Sequence, residues 1–360
     1  MRKLYLDNIR WITIVLVVIY HVIYMYNGVE TFGVIGPFSE RVQYQDMFQY
    51  VVYPWFMVLL FVVSGMCSRY YLENHTHKEF IQSRTVKLLV PSTIGLFVFQ
   101  WILGYYNMRM GGALEQMTMV PKPVIYIIMC VSGTGVLWFI QLLWMFSLLL
   151  VVIRKIEKDR FYKLCKKSNV IVLLLLAIVI WGAAQILNTP MVVVYRFGIY
   201  GVSFLIGYFV LSHDSVMERL SKVWIPLVVA AVILMICFCI CYWQKPYAEH
   251  VVMDTPLCNA YAWIATLAIL AFMSKFGNFD NAFCRFMNRQ SWGLYIFHYL
   301  PLAACAWYFH IYSPDMPAPI VYLITGAAAF VGAYILNAVI SRVPVVRWCV
   351  LGIKKRRGEQ

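Results

Sequence analysis

Long apolar runs separated by short polar stretches are the dominant pattern of this chain. Ten runs come close to the ~20 residues that a helix needs to cross the hydrocarbon core of a bilayer. They are Ile9 to Tyr26, Tyr50 to Tyr71, Leu88 to Tyr106, Val136 to Ile153, Asn169 to Leu187, Val192 to Leu211, Val223 to Trp243, Leu257 to Met273, Trp292 to Ile311 and Ile320 to Ile340. Two of the intervening stretches are long, Asn27 to Gln49 and Asn107 to Gly135. The second carries the breakers Gly111-Gly112 and Pro121-Lys122-Pro123, and its Val124 to Val131 run is expected as a re-entrant or interfacial piece. The pattern predicts an all-α fold, a polytopic membrane helical bundle of about ten transmembrane helices. It is expected as one domain over 1–360, with 1–8 and 342–360 as cytoplasmic tails.

Composition sharpens this picture. The 360 residues are 62% hydrophobic, 17% aromatic and only 13% charged, far outside the soluble range. A net charge of +14 would suit nucleic acid, but the basic residues sit in short clusters between the apolar runs, so no nucleic-acid partner is expected. With the N-terminus in the cytoplasm, 25 of the 30 Lys and Arg fall on the inner side. Arg41, Arg109, Lys122 and Lys245 fall outside, and Arg196 lies within a run. That asymmetry orients both termini inward in a multi-pass protein of the cell membrane. The basic start is followed by no small-residue cleavage site, so the first run is expected as an uncleaved helix. Most of the ten cysteines fall in apolar runs and none forms a CxxC pair, which predicts buried thiols rather than a disulfide framework or metal site.

Candidate chemistry begins in the first run, where Arg10 and His21 are separated by ten residues. Eleven helical steps return nearly to the same direction, so the two side chains share a face, roughly 16 Å apart along the axis. Ionisable groups at such depth face protein or a water-filled cavity and mark function by default, whereas in the blander reading Arg10 snorkels and His21 bonds a neighbouring helix. Asp7, one turn before Arg10, can pair with its guanidinium. After the second run, Arg84 and Lys87 are three residues apart and suit a polyphosphate, with Arg69 and Lys78 as candidates to join them. The same charges also satisfy simple inward orientation. His75 and His77 lack a third ligand, and no metal is expected. Late in the chain Ser291, Tyr295 and His298 place a second imidazole in an apolar run. Trp138, Gln141 and Arg196 are candidates for lining an outer cavity; interfacial anchoring is the alternative for Trp138 and snorkelling for Arg196.

Taken in order, these residues resemble the acyltransferase 3 family of integral membrane acyltransferases. The resemblance rests on Asp7, Arg10 and His21; Ser64-Gly65; Arg84 and Lys87 before Leu88-Leu89-Val90-Pro91; Trp138-Phe139; and Ser291, Tyr295 and His298. It covers nearly the whole chain. Lys87 stands where the family usually has a second Arg, which keeps the charge and loses the bidentate fork. The resemblance implies a cytoplasmic acyl-CoA donor, acetyl-CoA or succinyl-CoA, and a carbohydrate or other hydroxyl acceptor at the outer side. It implies catalytic roles for His21, Arg10 and Asp7, with His21 as general base or transient acyl carrier. Donor contacts are expected from Arg84, Lys87, Arg69, Ser64, Tyr295 and His298, and acceptor contacts from Trp138, Gln141 and Arg196. The rival class is a transporter or flippase of a lipid-linked sugar, since intramembrane Arg and His also mark permeation paths. No clear repeat of the first-half pattern occurs in the second half, which disfavours it.

Overall fold

The computed structural model describes residues 3–29, 34–38, 42–189 and 194–354. Arg2, Arg41, Lys355, Arg356 and Arg357 of the charge asymmetry, and the start of the sixth run at Val192, lie outside the described residues. The first helices are α1 (Leu4–Tyr24), α2 (Met47–Leu72), α3 (His77–Met110), α4 (Lys122–Ser132), α5 (Trp138–Glu157), α6 (Val170–Ala184) and α7 (Phe197–Leu211). They are followed by α8 (Asp214–Lys222), α9 (Trp224–Tyr242), α10 (Pro256–Phe276), α11 (Ala282–Phe297), α12 (Tyr299–Tyr312), α13 (Ala318–Ile340) and α14 (Pro344–Leu351). Among the described residues no strand occurs; Asn188 and Arg196 form an isolated bridge.

Among the described residues seven helices are long and apolar enough to cross a membrane, or eight if α7 and α8, which meet at 96°, make one broken span. The three remaining runs of the expected ten are interrupted or short. The fifth, α6, has 15 helical residues, and the sixth is the bent pair. The ninth divides into α11 and α12 at His298. Pro301 is the physical cause: it has no N–H for the carbonyl of Phe297, and its ring crowds that carbonyl.

Two compact units result. The first comprises Met1–Thr13, Met47–Ile81 and Met145–Asn288, and the second Ile14–Asp46, Gln82–Trp144 and Arg289–Gln360. In the first unit α2 and α7 approach closely enough that glycine is required on both. A Cβ on Gly65 would lie 2.0 Å from the carbonyl oxygen of Phe204, and one on Gly207 would lie 2.1 Å from that of Val62. Such small-residue contacts substitute for hydrophobic drive where lipid already solvates apolar side chains. The opening turns of α1 are tied down by Asn8, whose buried amide donates to the carbonyls of Gly277 and Phe279.

In the second unit, α3 is a composite helix with π-helical turns at Thr85–Leu89 and Leu96–Gln100. Pro91 again explains the first, because widening the turn removes the need for the missing N–H. Val90 N–H donates to Thr85 O, the i to i−5 bond of that wider turn. The run expected as re-entrant or interfacial is α4, which packs against the end of α3, with Gly104 against Met129 and Gly133 against Gln100. Within the stretch expected as the C-terminal tail, Pro344–Leu351 is helical, with Arg347, Cys349, Val350 and Leu351 buried because α14 packs its apolar face on Val90–Gly95.

Adding a methyl at Gly65 forces backbone apart, and overpacking of this kind costs about 1–3 kcal/mol. Gly65→Ala therefore lowers the thermal unfolding midpoint of detergent-purified protein, whereas Gly182→Ala, which meets nothing within 4 Å, does not. Equal melting of the two variants contradicts the packing described.

Candidate functional site

His21 lies in the last turn of α1, in the second unit. Its Nδ1 is 2.8 Å from the carbonyl oxygen of Val17, one turn earlier on the same helix. It is also 3.2 Å from Nε2 of His298, so the two imidazoles anticipated separately in the sequence meet. His298 has no solvent exposure, and its Nδ1 lies 2.9 Å from Leu294 O and 3.0 Å from Tyr295 O. These are the carbonyls one turn back from the break that Pro301 imposes. The rings of Tyr299 and Tyr20 stand edge-on to His21 at 5.0 Å and 5.1 Å. Gly332 of α13 holds Pro301 close: a Cβ there would lie 2.5 Å from the proline ring.

The same unit contains most of the other predicted residues. Arg84 is half-buried and immediately precedes the π-helical turn, while Lys87 lies within it and is exposed. The widened turn changes the angular spacing between the two cations from that of a regular helix. Its backbone is backed by Gly352, whose positive φ of 64° ends α14 with a close approach to Val86 O. Tyr295 donates its hydroxyl to the carbonyl of Val136 and packs edge-on to Phe139 at 6.1 Å. Trp292 stacks on Tyr295 and donates its indole N–H to Leu351 O at 3.1 Å, which ties α11 to the C-terminal helix. Ser291 lies one residue before it on α11. Trp138 opens α5 beside Phe139, and Gln141 donates to Ser92 O at 3.0 Å, just past the π-helical turn.

The remaining predicted residues belong to the first unit. Arg10 NH1 lies 3.5 Å from Asp7, as the i, i+3 spacing anticipates, and its NH2 lies 3.6 Å from the thiol of Cys67. Ser64 precedes the glycine of the close helix contact, and its carbonyl accepts from Ser68.

Two arginines of the first unit are paired with carboxylates. Arg69 pairs with Asp159 at 2.6 Å, reaches Glu73 at 3.4 Å and lies 3.6 Å over the ring of Tyr162. Its charge is thus committed within the first unit. Arg196 does not lie inside a helix but immediately ahead of α7, and it does not snorkel. It is 2% exposed and pairs with Asp254 at 2.6 Å, while His250 approaches the other oxygen of that carboxylate at 3.1 Å. Charged groups at such burial persist where they are paired.

Asp254, Asp159 and Tyr299 were missed by sequence reasoning. Nothing local marks the two acids as partners, since 58 and 90 residues separate them from their arginines. Tyr299 carried a weak signal, standing between His298 and Pro301. Among the described residues no group of three or more His, Cys, Asp or Glu could hold a metal ion.

A family model described as an acyltransferase domain, of the acyltransferase 3 type, matches residues 3–338. No curated protein and no solved structure matches the chain.

Removing one member of a buried ion pair costs about 3–5 kcal/mol because the other charge is left uncompensated. Asp254→Asn strands the deeply buried Arg196 and lowers the thermal unfolding midpoint more than Arg196→Met, which strands a carboxylate that is 25% exposed. The double variant is no worse than Asp254→Asn alone. Additive losses in a double-mutant cycle contradict the pairing.

Proposed function

The chain belongs to the acyltransferase 3 family, and from that premise we propose that this multi-pass membrane acyltransferase moves an acyl group from cytoplasmic acyl-CoA to a hydroxyl at the outer side. The observation that carries this reading is the meeting of His21 and His298 in the same unit as Arg84 and Lys87. An imidazole can take a proton near physiological pH, and two cations suit the phosphates of a nucleotide donor. Acetyl-CoA and succinyl-CoA are the proposed donors, and a carbohydrate hydroxyl of the cell envelope is the proposed acceptor. The excess of Lys and Arg on one side supports both termini in the cytoplasm, which brings Arg84 and Lys87 to the donor's side of the cell membrane.

In the proposed reaction, His21 accepts the proton of the acceptor hydroxyl as its oxygen attacks the thioester carbonyl. The carbon–sulfur bond breaks, an ester forms, and the coenzyme A thiolate leaves and recovers the proton from His21 as free thiol. Arg84 and Lys87 bind the donor's phosphates, Lys87 as a point charge without the fork an arginine would offer. Tyr295, in the same unit, shapes the donor's surroundings. Trp138 and Gln141 are assigned to the acceptor. Arg69 and Arg196 are left in their carboxylate pairs. A transporter of lipid-linked sugar has no observation in its favour beyond the buried polar groups themselves.

Thiol release from acetyl-CoA and succinyl-CoA by protein in nanodiscs, with and without envelope glycans, tests the reading. Release that depends on the acceptor is expected. Movement of labelled sugar across sealed vesicles with no thiol release would replace acyl transfer by transport. General-base catalysis contributes about 10²–10⁴-fold, so His21→Ala loses at least about a hundredfold in turnover while donor binding persists. An Arg84→Ala variant weakens donor affinity about tenfold through one lost charge-assisted contact, read by calorimetry with coenzyme A. Unchanged donor affinity would remove Arg84 from the donor site.

A further inference from the structure

Resting on the reading of His21 as the base, we propose that His298 is a positioning residue that fixes which nitrogen of His21 carries the proton. Donors and acceptors around the two rings leave one consistent assignment. Nδ1 of His298 faces two carbonyl oxygens, Leu294 at 2.9 Å and Tyr295 at 3.0 Å, and carbonyls only accept. That nitrogen therefore carries hydrogen. A neutral imidazole has one N–H, so Nε2 of His298 presents a lone pair. It presents it to Nδ1 of His21 at 3.2 Å, and the other neighbour of that nitrogen is the carbonyl of Val17 at 2.8 Å. Both neighbours accept, so Nδ1 of His21 is an N–H shared between them. The lone pair of His21 is left on Nε2, which is where an incoming hydroxyl must deliver its proton.

The alternatives fail on the same contacts. A proton on Nε2 of His21 instead would set its Nδ1 lone pair against both a carbonyl oxygen and a second lone pair. A doubly protonated His298 would donate to His21 Nδ1 but force that nitrogen to point its lone pair at Val17 O across 2.8 Å. The tautomers are thus set in series by three backbone carbonyls, two of them beside the break made by Pro301.

This arrangement has a chemical consequence. When Nε2 takes the hydroxyl proton, the resulting imidazolium already donates through Nδ1 to His298 and Val17, so its charge is stabilised with no further proton movement. A carboxylate in the place of His298 would orient the base equally well but would add a resting charge inside the bilayer, which is costly. A neutral imidazole supplies the acceptor without that charge.

The test compares His298→Leu, which fills the site without an acceptor, with His298→Gln, whose carbonyl can stand where Nε2 stood. Protein labelled with ¹⁵N-histidine is examined by NMR in nanodiscs, the His21 signals being identified by their loss in His21→Asn. The wild type is expected to show a protonated Nδ1 and an unprotonated Nε2 at His21, and His298→Leu a mixture of tautomers. Losing a hydrogen bond to a charged group predicts a fall in kcat of about ten- to a hundredfold in His298→Leu, with KM for acyl-CoA unchanged. His298→Gln restores most of kcat and the wild-type tautomer. A wild-type His21 protonated on Nε2, or equal losses in the Leu and Gln variants, overturns the proposal. Because the tautomer is read without turnover, a correct tautomer in a protein that consumes no acyl-CoA would refute acyl transfer and leave the positioning role standing.

Discussion

Two imidazoles in hydrogen-bonding contact inside an apolar bundle are the constraint around which the site is arranged. A bilayer has no water to complete an unsatisfied ring nitrogen, so each must find a partner in the protein. Here His298 is completed by carbonyls of its own helix and by His21, and His21 by Val17 and His298. The pair leaves one nitrogen uncommitted by those contacts. A chemically competent base in this setting is what remains after every other polar atom of the two rings has been matched.

Irregular helix also shapes this unit. A side chain can share a carbonyl one turn back on a regular helix, as His21 does with Val17, whereas a break leaves backbone groups outside the i to i−4 ladder. Pro301 creates one break, at His298, and Pro91 lies next to another irregularity, the π-helical turn Thr85–Leu89 that contains Lys87. Both lie in the second unit, where the proposed base and the proposed donor-binding cations also lie. Close packing then holds the irregular segments in place, with Gly332 against Pro301 and Gly352 against the backbone at Val86.

The sequence was most legible where one physical requirement acts alone. Apolar length exposed the membrane helices, and α1, α2, α3, α5, α9, α10 and α13 follow the runs that announce them. Length could not reveal the break at His298, because Trp292 to Ile311 is apolar throughout and one proline decides its division. Helical spacing correctly paired Asp7 with Arg10, since that contact is local. It could not pair Arg69 with Asp159 or Arg196 with Asp254, which depend on elements far apart in the chain. His21 and His298 stood out for a common reason, an ionisable ring in an apolar run, but their contact across 277 residues is a product of tertiary folding.

In the proposed reaction a thioester arriving from the side of Arg84 and Lys87 reaches His21. A cryo-electron microscopy structure in a lipid nanodisc tests it most directly, using a ketone analogue of acetyl-CoA with a methylene between sulfur and carbonyl carbon. The nucleotide phosphates are expected against Arg84 and Lys87, and the ketone beside Nε2 of His21. An analogue whose ketone lies away from that ring, or an imidazole pair walled off from the bound donor, contradicts it.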